Sequence, residues 1–124
     1  MADDDELVAD VAIEALNAAG HAVGLLGDGT DVMKVLRAKN PDLVILDCNM
    51  PTRSGIIVLR EMRNSLEFCD TPVLMLTGRQ SDADETLAMY EGANDYMKKP
   101  FDPDELVFRV EELLKKRADG LKRR

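Results

Sequence analysis

Two spacings of apolar residues alternate along the chain and predict nine elements. Apolar side chains that recur every three or four positions indicate amphipathic helices, whereas unbroken apolar runs of strand length indicate strands buried on both faces. The clearest unbroken runs are 43–46 and 73–76. The predicted order is helix, strand, helix, strand, helix, strand, helix, strand, helix, at residues 5–19, 22–26, 30–39, 43–46, 56–66, 73–76, 81–91, 96–98 and 103 to at least 114.

Residues at the ends of these segments support the assignment. Gly20 and Gly92 follow predicted helices, where glycine is a common C-terminal stop. Asp102 and Pro103 combine an N-cap with a first-turn proline at the start of the last helix. Because a helix between two parallel strands packs back onto their sheet, the alternation predicts an α/β fold with a parallel sheet and helices on both faces.

The length and composition of the chain fit one domain. With 124 residues, 45% apolar and 32% charged, it has the size and composition of an ordinary globular unit. Its apolar runs reach four or five residues, too few for a membrane helix. We predict a domain over residues 1–116 and a basic C-terminal tail over 117–124.

Charge is distributed unevenly along the chain. The net charge of −8 argues against direct contact with nucleic acid, because phosphates would be repelled. We interpret the basic C-terminal residues as a complement to the dipole of the last helix, in preference to a linker or a docking segment. They are Lys115, Lys116, Arg117, Lys122, Arg123 and Arg124.

Cysteine and histidine are too scarce for several enzyme classes. Cys48 and Cys69 lack metal-site spacing and His21 is the single histidine, so a histidine zinc site or a serine triad has few candidate residues. No signal-peptide pattern precedes the acidic N-terminus. We therefore expect free thiols and a reducing, cytoplasmic location.

Polar side chains follow the predicted strands where those strands end. Asp47 and Thr77 end the two buried runs, Lys99 follows the last strand, and Asp3 and Asp4 precede the first helix. Because ligands bind at the carboxyl ends of parallel strands, we expect these residues to converge. Clustered carboxylates favour a hard divalent cation, Mg²⁺ or Mn²⁺. Carboxylate, metal, lysine and hydroxyl together suit phosphoryl transfer.

Each of these residues also has a purely structural interpretation. Asp3 and Asp4 are favourable residues at a helix N-terminus, Asp47 is compatible with a turn, and Thr77 with a strand end. A lysine before proline, such as Lys99, is usually solvated. The chemical interpretation therefore depends on the predicted convergence of all five residues at one edge of the sheet.

Four short motifs stand in order along the chain: ADDD at 2–5, PDLVILD at 41–47 with NMP at 49–51 and Gly55, TPVLMLTG at 71–78, and GANDYMKKPF at 92–101. Together they resemble the receiver domain of two-component response regulators over nearly all of residues 2–116. The resemblance implies a doubly wound, flavodoxin-like sheet with five strands in the order 2-1-3-4-5.

The resemblance implies a chemical role for residues at the predicted edge. Asp47 matches the aspartate that accepts a phosphoryl group from the phosphohistidine of a sensor histidine kinase or a histidine phosphotransfer protein. Asp3 and Asp4 match the acidic pair that, with Asp47, holds Mg²⁺, and Asn49 matches the position that lends a backbone carbonyl to the metal. Lys99 matches the lysine that pairs with the phosphoryl oxygens.

The resemblance also implies a conformational switch. Thr77 matches the hydroxyl that moves toward the phosphoryl group, and Gly78 leaves room and a backbone N–H for that group. Tyr96 matches the aromatic residue that turns inward when the threonine moves. The phosphoryl group adds a charge of about −1.5 to −2, which would favour the switched positions of these two side chains and alter the face formed by the last two helices and the last strand. The structural alternative for Tyr96 is a half-buried strand aromatic.

The N-terminus departs from the family pattern. Receiver domains begin with four or five apolar residues that form a central strand, whereas only Met1 and Ala2 precede Asp3. Each buried side chain lost removes about 1.5–3 kcal/mol from a stability of about 5–15 kcal/mol. Three arrangements stay open: a sequence that starts downstream of the natural start, a neighbouring strand that closes the gap, or a homodimer in which a second copy donates an edge. We expect lower stability or altered association compared with a complete receiver domain, and a weakly held acidic pair.

Two functions from different classes follow. The first is a receiver that accepts a phosphoryl group on Asp47 with Mg²⁺, is not an enzyme beyond assisting its own phosphorylation and dephosphorylation, and switches partner binding in phosphorelay signalling. The alternative is a degenerate receiver that acts as a phosphorylation-independent interaction module. A metal-dependent phosphatase would resemble an Asp-x-Asp pattern, but position 49 is asparagine. A flavin mononucleotide carrier would need a phosphate-binding loop after the first strand, but residues 3–5 at that place are acidic and have the wrong charge for it.

Overall fold

Helices and strands alternate along the part of the chain that the structure, a computed structural model, describes: residues 6–21, 32–47, 55–77, 82–99 and 101–122. The predicted strand at 22–26 and the N-terminal acidic residues lie outside it. From residue 32 onward, the predicted alternation is confirmed. The elements are α1 (Glu6–Ala18), α2 (Val32–Lys39), β1 (Val44–Asp47), α3 (Gly55–Arg63), β2 (Val73–Thr77), α4 (Asp82–Tyr90), β3 (Asp95–Lys98) and α5 (Pro103–Lys122).

The described strands form a parallel sheet in the order β1-β2-β3. Asp47 is aligned with Leu76 and Thr77 with Lys98, so the three strands end at the same edge. β1 and β2 are buried along their whole lengths, which explains why their sequences are unbroken apolar runs. The predicted parallel α/β sheet is therefore confirmed over these strands.

Helices cover both faces of the sheet. Successive strand side chains point to opposite faces, so neighbours such as Leu46 and Ile45 enter different clusters. Leu46 packs with buried side chains of α2, α3 and α4, whereas Ile45 packs with those of α1 and α5. None of the helices in the described ranges has the length and hydropathy needed to cross a bilayer. Their buried apolar side chains pack against the sheet.

Glycine ends two of the helices as the sequence predicts. After α1, Gly20 has a φ of 93° and His21 donates its backbone N–H to the carbonyl of Leu16 at 3.0 Å. After α4, Gly92 has a φ of 108°, and the next residue donates in the same way to Ala88 at 2.9 Å. The left-handed conformation that closes each helix favours glycine, because a side chain would be strained there.

The last helix begins as predicted and extends further. Asp102 caps it by accepting a hydrogen bond from the backbone N–H of Asp104 at 2.9 Å, and Pro103 occupies the first helical position. α5 continues to Lys122, so most of the predicted basic tail is helical. Arg117 lies on this extension and donates to the carbonyl of Asp42 at 2.7 Å. The domain boundary at residue 116 stays a prediction.

The end of α3 differs from the prediction. The apolar spacing placed Leu66 on the buried face of a helix over 56–66, but α3 ends at Arg63 and Leu66 is 98% exposed. The guanidinium of Arg63 donates to the carbonyls of Phe68 and Thr71, and these contacts require the chain to turn back. Phe68, only 1% exposed, fills the core instead. The prediction was wrong because an apolar residue four positions after Met62 fits a helix and a turn equally well.

Candidate functional site

Asp47 is a buried carboxylate at the edge where the strands end. It is the last residue of β1 and is 2% exposed. The other buried residues of the strand are apolar, so the aspartate interrupts the core pattern at its boundary. Because a buried carboxylate loses its hydration, it requires a charged partner or hydrogen-bond donors.

Lys99 provides a charged partner for Asp47. Its backbone N–H donates to the carbonyl of Thr77 at 2.7 Å, which anchors the residue just beyond β3. Its Nζ donates to Oδ2 of Asp47 at 2.5 Å, a short charge-assisted hydrogen bond. The lysine thus connects the ends of β3 and β1 across the end of β2. Its side chain is 20% exposed, so the pair borders solvent on the lysine side.

Thr77 and Tyr96 lie on the strands beside this pair. Thr77 is fully buried, and its hydroxyl donates to the carbonyl of Met97 at 3.5 Å, a long and therefore weak bond. Tyr96 is half-buried and packs against the cluster formed with α2, α3 and α4. The predicted switch residues thus occupy adjacent strands, with Thr77 facing β3 through its hydrogen bond.

Four of the predicted site residues lie outside the described part of the chain: Asp3, Asp4, Asn49 and Gly78. The predicted convergence is therefore described for Asp47, Lys99 and Thr77 only. Within the described ranges, no three carboxylate, histidine or cysteine side chains are grouped as metal ligands. The predicted magnesium site combines Asp47 with residues outside those ranges.

Arg109 lies near the predicted switch, and no sequence motif pointed to it. It extends from α5 and donates through Nη1 to the carbonyl of Tyr96 at 3.1 Å and to Oδ1 of Asp95 at 3.0 Å. Its Nη2 donates to Glu105 at 2.9 Å. The hydrogen bond with Glu105, together with the charge of Asp95, raises the pKa of Arg109 above its usual value. The four-residue spacing of Glu105 and Arg109 was the one sequence signal that could have found it.

The parallel sheet and the acid and base at its edge agree with comparisons of the sequence to known families. The response regulator receiver domain model matches residues 1–111, and the chain belongs to this family. Receiver domains of response regulators act in phosphorelay signalling and generally bind Mg²⁺ at the phosphorylation site.

Curated relatives and solved structures give the same assignment. The DNA-binding response regulators MtrA of Mycolicibacterium paratuberculosis and Mycobacterium tuberculosis are each 38% identical over 117 residues, which cover 94% of this chain. The chain spans about half the length of these relatives, 51% and 50%. The receiver domain of the Francisella response regulator 1452 has a TM-score of 0.84 and 30% identity, with 93% of each chain covered. The receiver domain of NtrX from Brucella abortus has a TM-score of 0.86 and 26% identity, covering 92% of this chain and 95% of that one.

Proposed function

We propose that this chain accepts a phosphoryl group on the carboxylate of Asp47 and changes its binding to partner proteins in response. The observation that carries the proposal is the buried Asp47 carboxylate bonded to Lys99 Nζ at 2.5 Å, at the edge where the strands end. A buried ion pair contributes little net stability, because desolvation offsets its attraction. A chemical role therefore explains this pair better than a stabilising one.

The proposed transfer forms one bond and breaks one. An oxygen of Asp47 attacks the phosphorus of a phosphohistidine, and the imidazole nitrogen leaves with the electron pair of the broken P–N bond. The ammonium of Lys99 neutralises charge on the transferring oxygens, which is the main requirement of phosphoryl transfer. Water later attacks the phosphorus of the acyl phosphate, which breaks the bond to the Asp47 oxygen, releases inorganic phosphate and restores the carboxylate. The chain thus assists its own phosphorylation and dephosphorylation and does not turn over a separate substrate.

We assign magnesium binding to Asp3, Asp4, Asp47 and the backbone carbonyl of Asn49. All of these donors are oxygen atoms, which suit Mg²⁺ and also Mn²⁺. A bound ion supplies positive charge for the phosphoryl oxygens. Asp47 contributes a carboxylate at the described edge of the sheet, and this position supports its place in the ligand set.

The proposed switch uses Thr77 and Tyr96. The hydroxyl of Thr77 exchanges its bond to the Met97 carbonyl for one to the phosphoryl group, which also accepts a hydrogen bond from the backbone N–H of Gly78. The present bond is 3.5 Å long, so breaking it costs little. Tyr96 then turns inward beside the displaced threonine and changes the surface of β3 and the helices next to it.

The proposed partners are proteins. A sensor histidine kinase or a histidine phosphotransfer protein supplies the phosphoryl group, and a downstream protein or output domain reads the switched surface in the cytoplasm. The MtrA relatives are named DNA-binding, but this chain spans about half their length. Its net charge is −8, and we propose that these 124 residues themselves bind neither nucleic acid nor membrane. A homodimer in which a second copy donates an edge stays one of the three arrangements open for the N-terminus.

Acetyl phosphate tests the proposal directly. The 124-residue chain, incubated with acetyl phosphate and Mg²⁺, should gain the mass of one phosphoryl group. Asp47→Asn should gain none, whereas Asp42→Asn should behave as wild type, because the side chain of Asp42 is 91% exposed and lies away from the strand ends. Removal of Mg²⁺ with EDTA should abolish labelling. A wild-type chain that stays unmodified with ample Mg²⁺ would favour the phosphorylation-independent interaction module.

A further inference from the structure

Gly55 makes an unusually close approach to the phosphoryl acceptor. It is the first residue of α3, and it is buried against the end of β1. A Cβ atom at this position would overlap the backbone carbonyl oxygen of Asp47 and would lie 2.9 Å from its carbonyl carbon. It would also lie 3.2 Å from Cε of Met75. Since Cβ atoms essentially never lie closer than 3.0 Å to such a neighbour, the backbone of Asp47 or α3 would have to move.

The requirement for glycine at position 55 is steric rather than conformational. Among the described glycines, Gly20 and Gly92 have a positive φ and Gly55 does not. The close packing of α3 on Asp47 explains why this position has no side chain.

We propose that Gly55 is a positioning residue for phosphoryl transfer to Asp47, an inference that rests on the function proposed above. The carbonyl of Asp47 is attached directly to its Cα, so a displaced carbonyl changes the direction of the bond to the side chain. Lys99 is anchored independently through its backbone bond to Thr77. A side chain at position 55 would therefore move the acceptor carboxylate relative to a lysine that stays in place.

The test compares Gly55→Ala with Gly92→Ala in the 124-residue chain. Gly92 is the matched control because its φ of 108° makes alanine strained, while the added Cβ would meet the side chain of Arg63, at 3.1 Å, and no atom of Asp47. Initial rates of phosphorylation are measured with saturating acetyl phosphate and Mg²⁺ at a temperature where circular dichroism shows both variants folded. Gly55→Ala should be slower than wild type by about tenfold or more, because small misplacements strongly reduce transfer rates. Gly92→Ala should stay within about twofold of wild type, because the acceptor geometry is intact.

A second pair of variants tests the inference if Gly55→Ala does not fold. Ile56 and Met62 are both buried core residues of α3, but Ile56 belongs to its first turn and Met62 to its last. Ile56→Ala should slow phosphorylation more than Met62→Ala at an equal loss of stability. If the two variants of the pair that folds are phosphorylated at equal rates while the wild type is labelled, the positioning role of Gly55 is overturned and the proposed function stands. A wild type that is not labelled would instead refute the proposed function.

Discussion

Replacing Arg63 with alanine should remove a group of hydrogen bonds at the edge of the sheet opposite Asp47. Nε of Arg63 donates to the carbonyl of Gly92 and Nη2 to Oδ1 of Asn94, each at 2.9 Å. Nη1 lies within 2.9–3.3 Å of three carbonyl oxygens, those of Phe68, Cys69 and Thr71. One guanidinium thus connects the end of α3 to the turns that precede β2 and β3.

The expected loss of stability is smaller than the sum of these bonds. A hydrogen bond from a charged donor contributes about 1.5–3 kcal/mol, and a buried acceptor left without a donor costs about 1–3 kcal/mol. Arg63 is only partly buried, so water would reach several of the carbonyls, and bonds made by one side chain are not additive. We expect the free energy of unfolding to fall by about 2–4 kcal/mol. Burial lowers the pKa of Arg63 below its ordinary value, and the charge of Asp70 opposes this shift.

Urea unfolding followed by circular dichroism measures this loss, and Arg60→Ala provides the control. Arg60 lies on the same helix and forms two hydrogen bonds with Glu91, at 2.8 and 3.1 Å, but its side chain is 52% exposed. Because water screens exposed pairs, its removal should shift the unfolding midpoint much less. Arg63→Lys should give an intermediate midpoint, since lysine keeps the charge but lacks the planar donor group. Equal midpoint shifts for the two alanine variants would refute the reasoning.

Three further predictions concern single side chains. Lys99→Met should abolish phosphorylation by acetyl phosphate and destabilise the fold by about 3–5 kcal/mol, because a buried carboxylate loses a charged partner; normal labelling would contradict the role of the lysine. The hydrogen bond from Arg60 lowers the pKa of Glu91 below its usual 4.5. The stability that this ion pair contributes is fully present above pH 4.5 and is lost as the pH falls through the lower pKa of Glu91 in the folded state. Glu91→Gln should therefore make the free energy of unfolding depend less steeply on pH in acid. An unchanged slope would argue against the Arg60–Glu91 pair. Phe68→Ala should cost about 3–5 kcal/mol in urea unfolding, whereas Leu66→Ala should leave the midpoint within experimental error; similar losses would contradict the described turn.

The strands were predictable from local patterns, and the meeting of Asp47 and Lys99 was predictable from the topology of a parallel sheet. An unbroken apolar run of four residues has no solvent face, so the residues that lead to Asp47 and Thr77 indicate buried strands by their sequence alone. In a parallel sheet the carboxyl ends of the strands share one edge, and this topology brings Lys99 to Asp47 although they are 52 positions apart. The roles of Asp3 and Asp4 stay predictions, because they depend on residues outside the described part of the chain.

The turn after α3 could not be predicted because its conformation depends on contacts between distant segments. Met62 and Leu66 have helical spacing, but the helix ends where Arg63 binds carbonyls of the following turn. Asn94 contributes from another segment, since its Oδ1 accepts hydrogen bonds from both Arg63 and the backbone N–H of Val73 at 2.9 Å. A donor with several acceptors leaves no periodic signal in the sequence, and Phe68 could be recognised as a core residue only from the resulting turn.

The two edges of the sheet therefore have different physical roles. At the edge where the strands begin, the neutral carbonyls around Arg63 are joined by one cation, an arrangement that adds stability without exposing a reactive group. At the edge where they end, a carboxylate and an ammonium are held together with partial access to solvent, an arrangement that adds little stability but suits phosphoryl transfer. Gly55 connects this second edge to α3, and Arg63 connects the first edge to the same helix. Changes at the two ends of α3 should therefore be separable: those at Arg63 should reduce stability at an unchanged phosphorylation rate in the folded protein, and those at Gly55 should reduce the rate beyond any effect on stability.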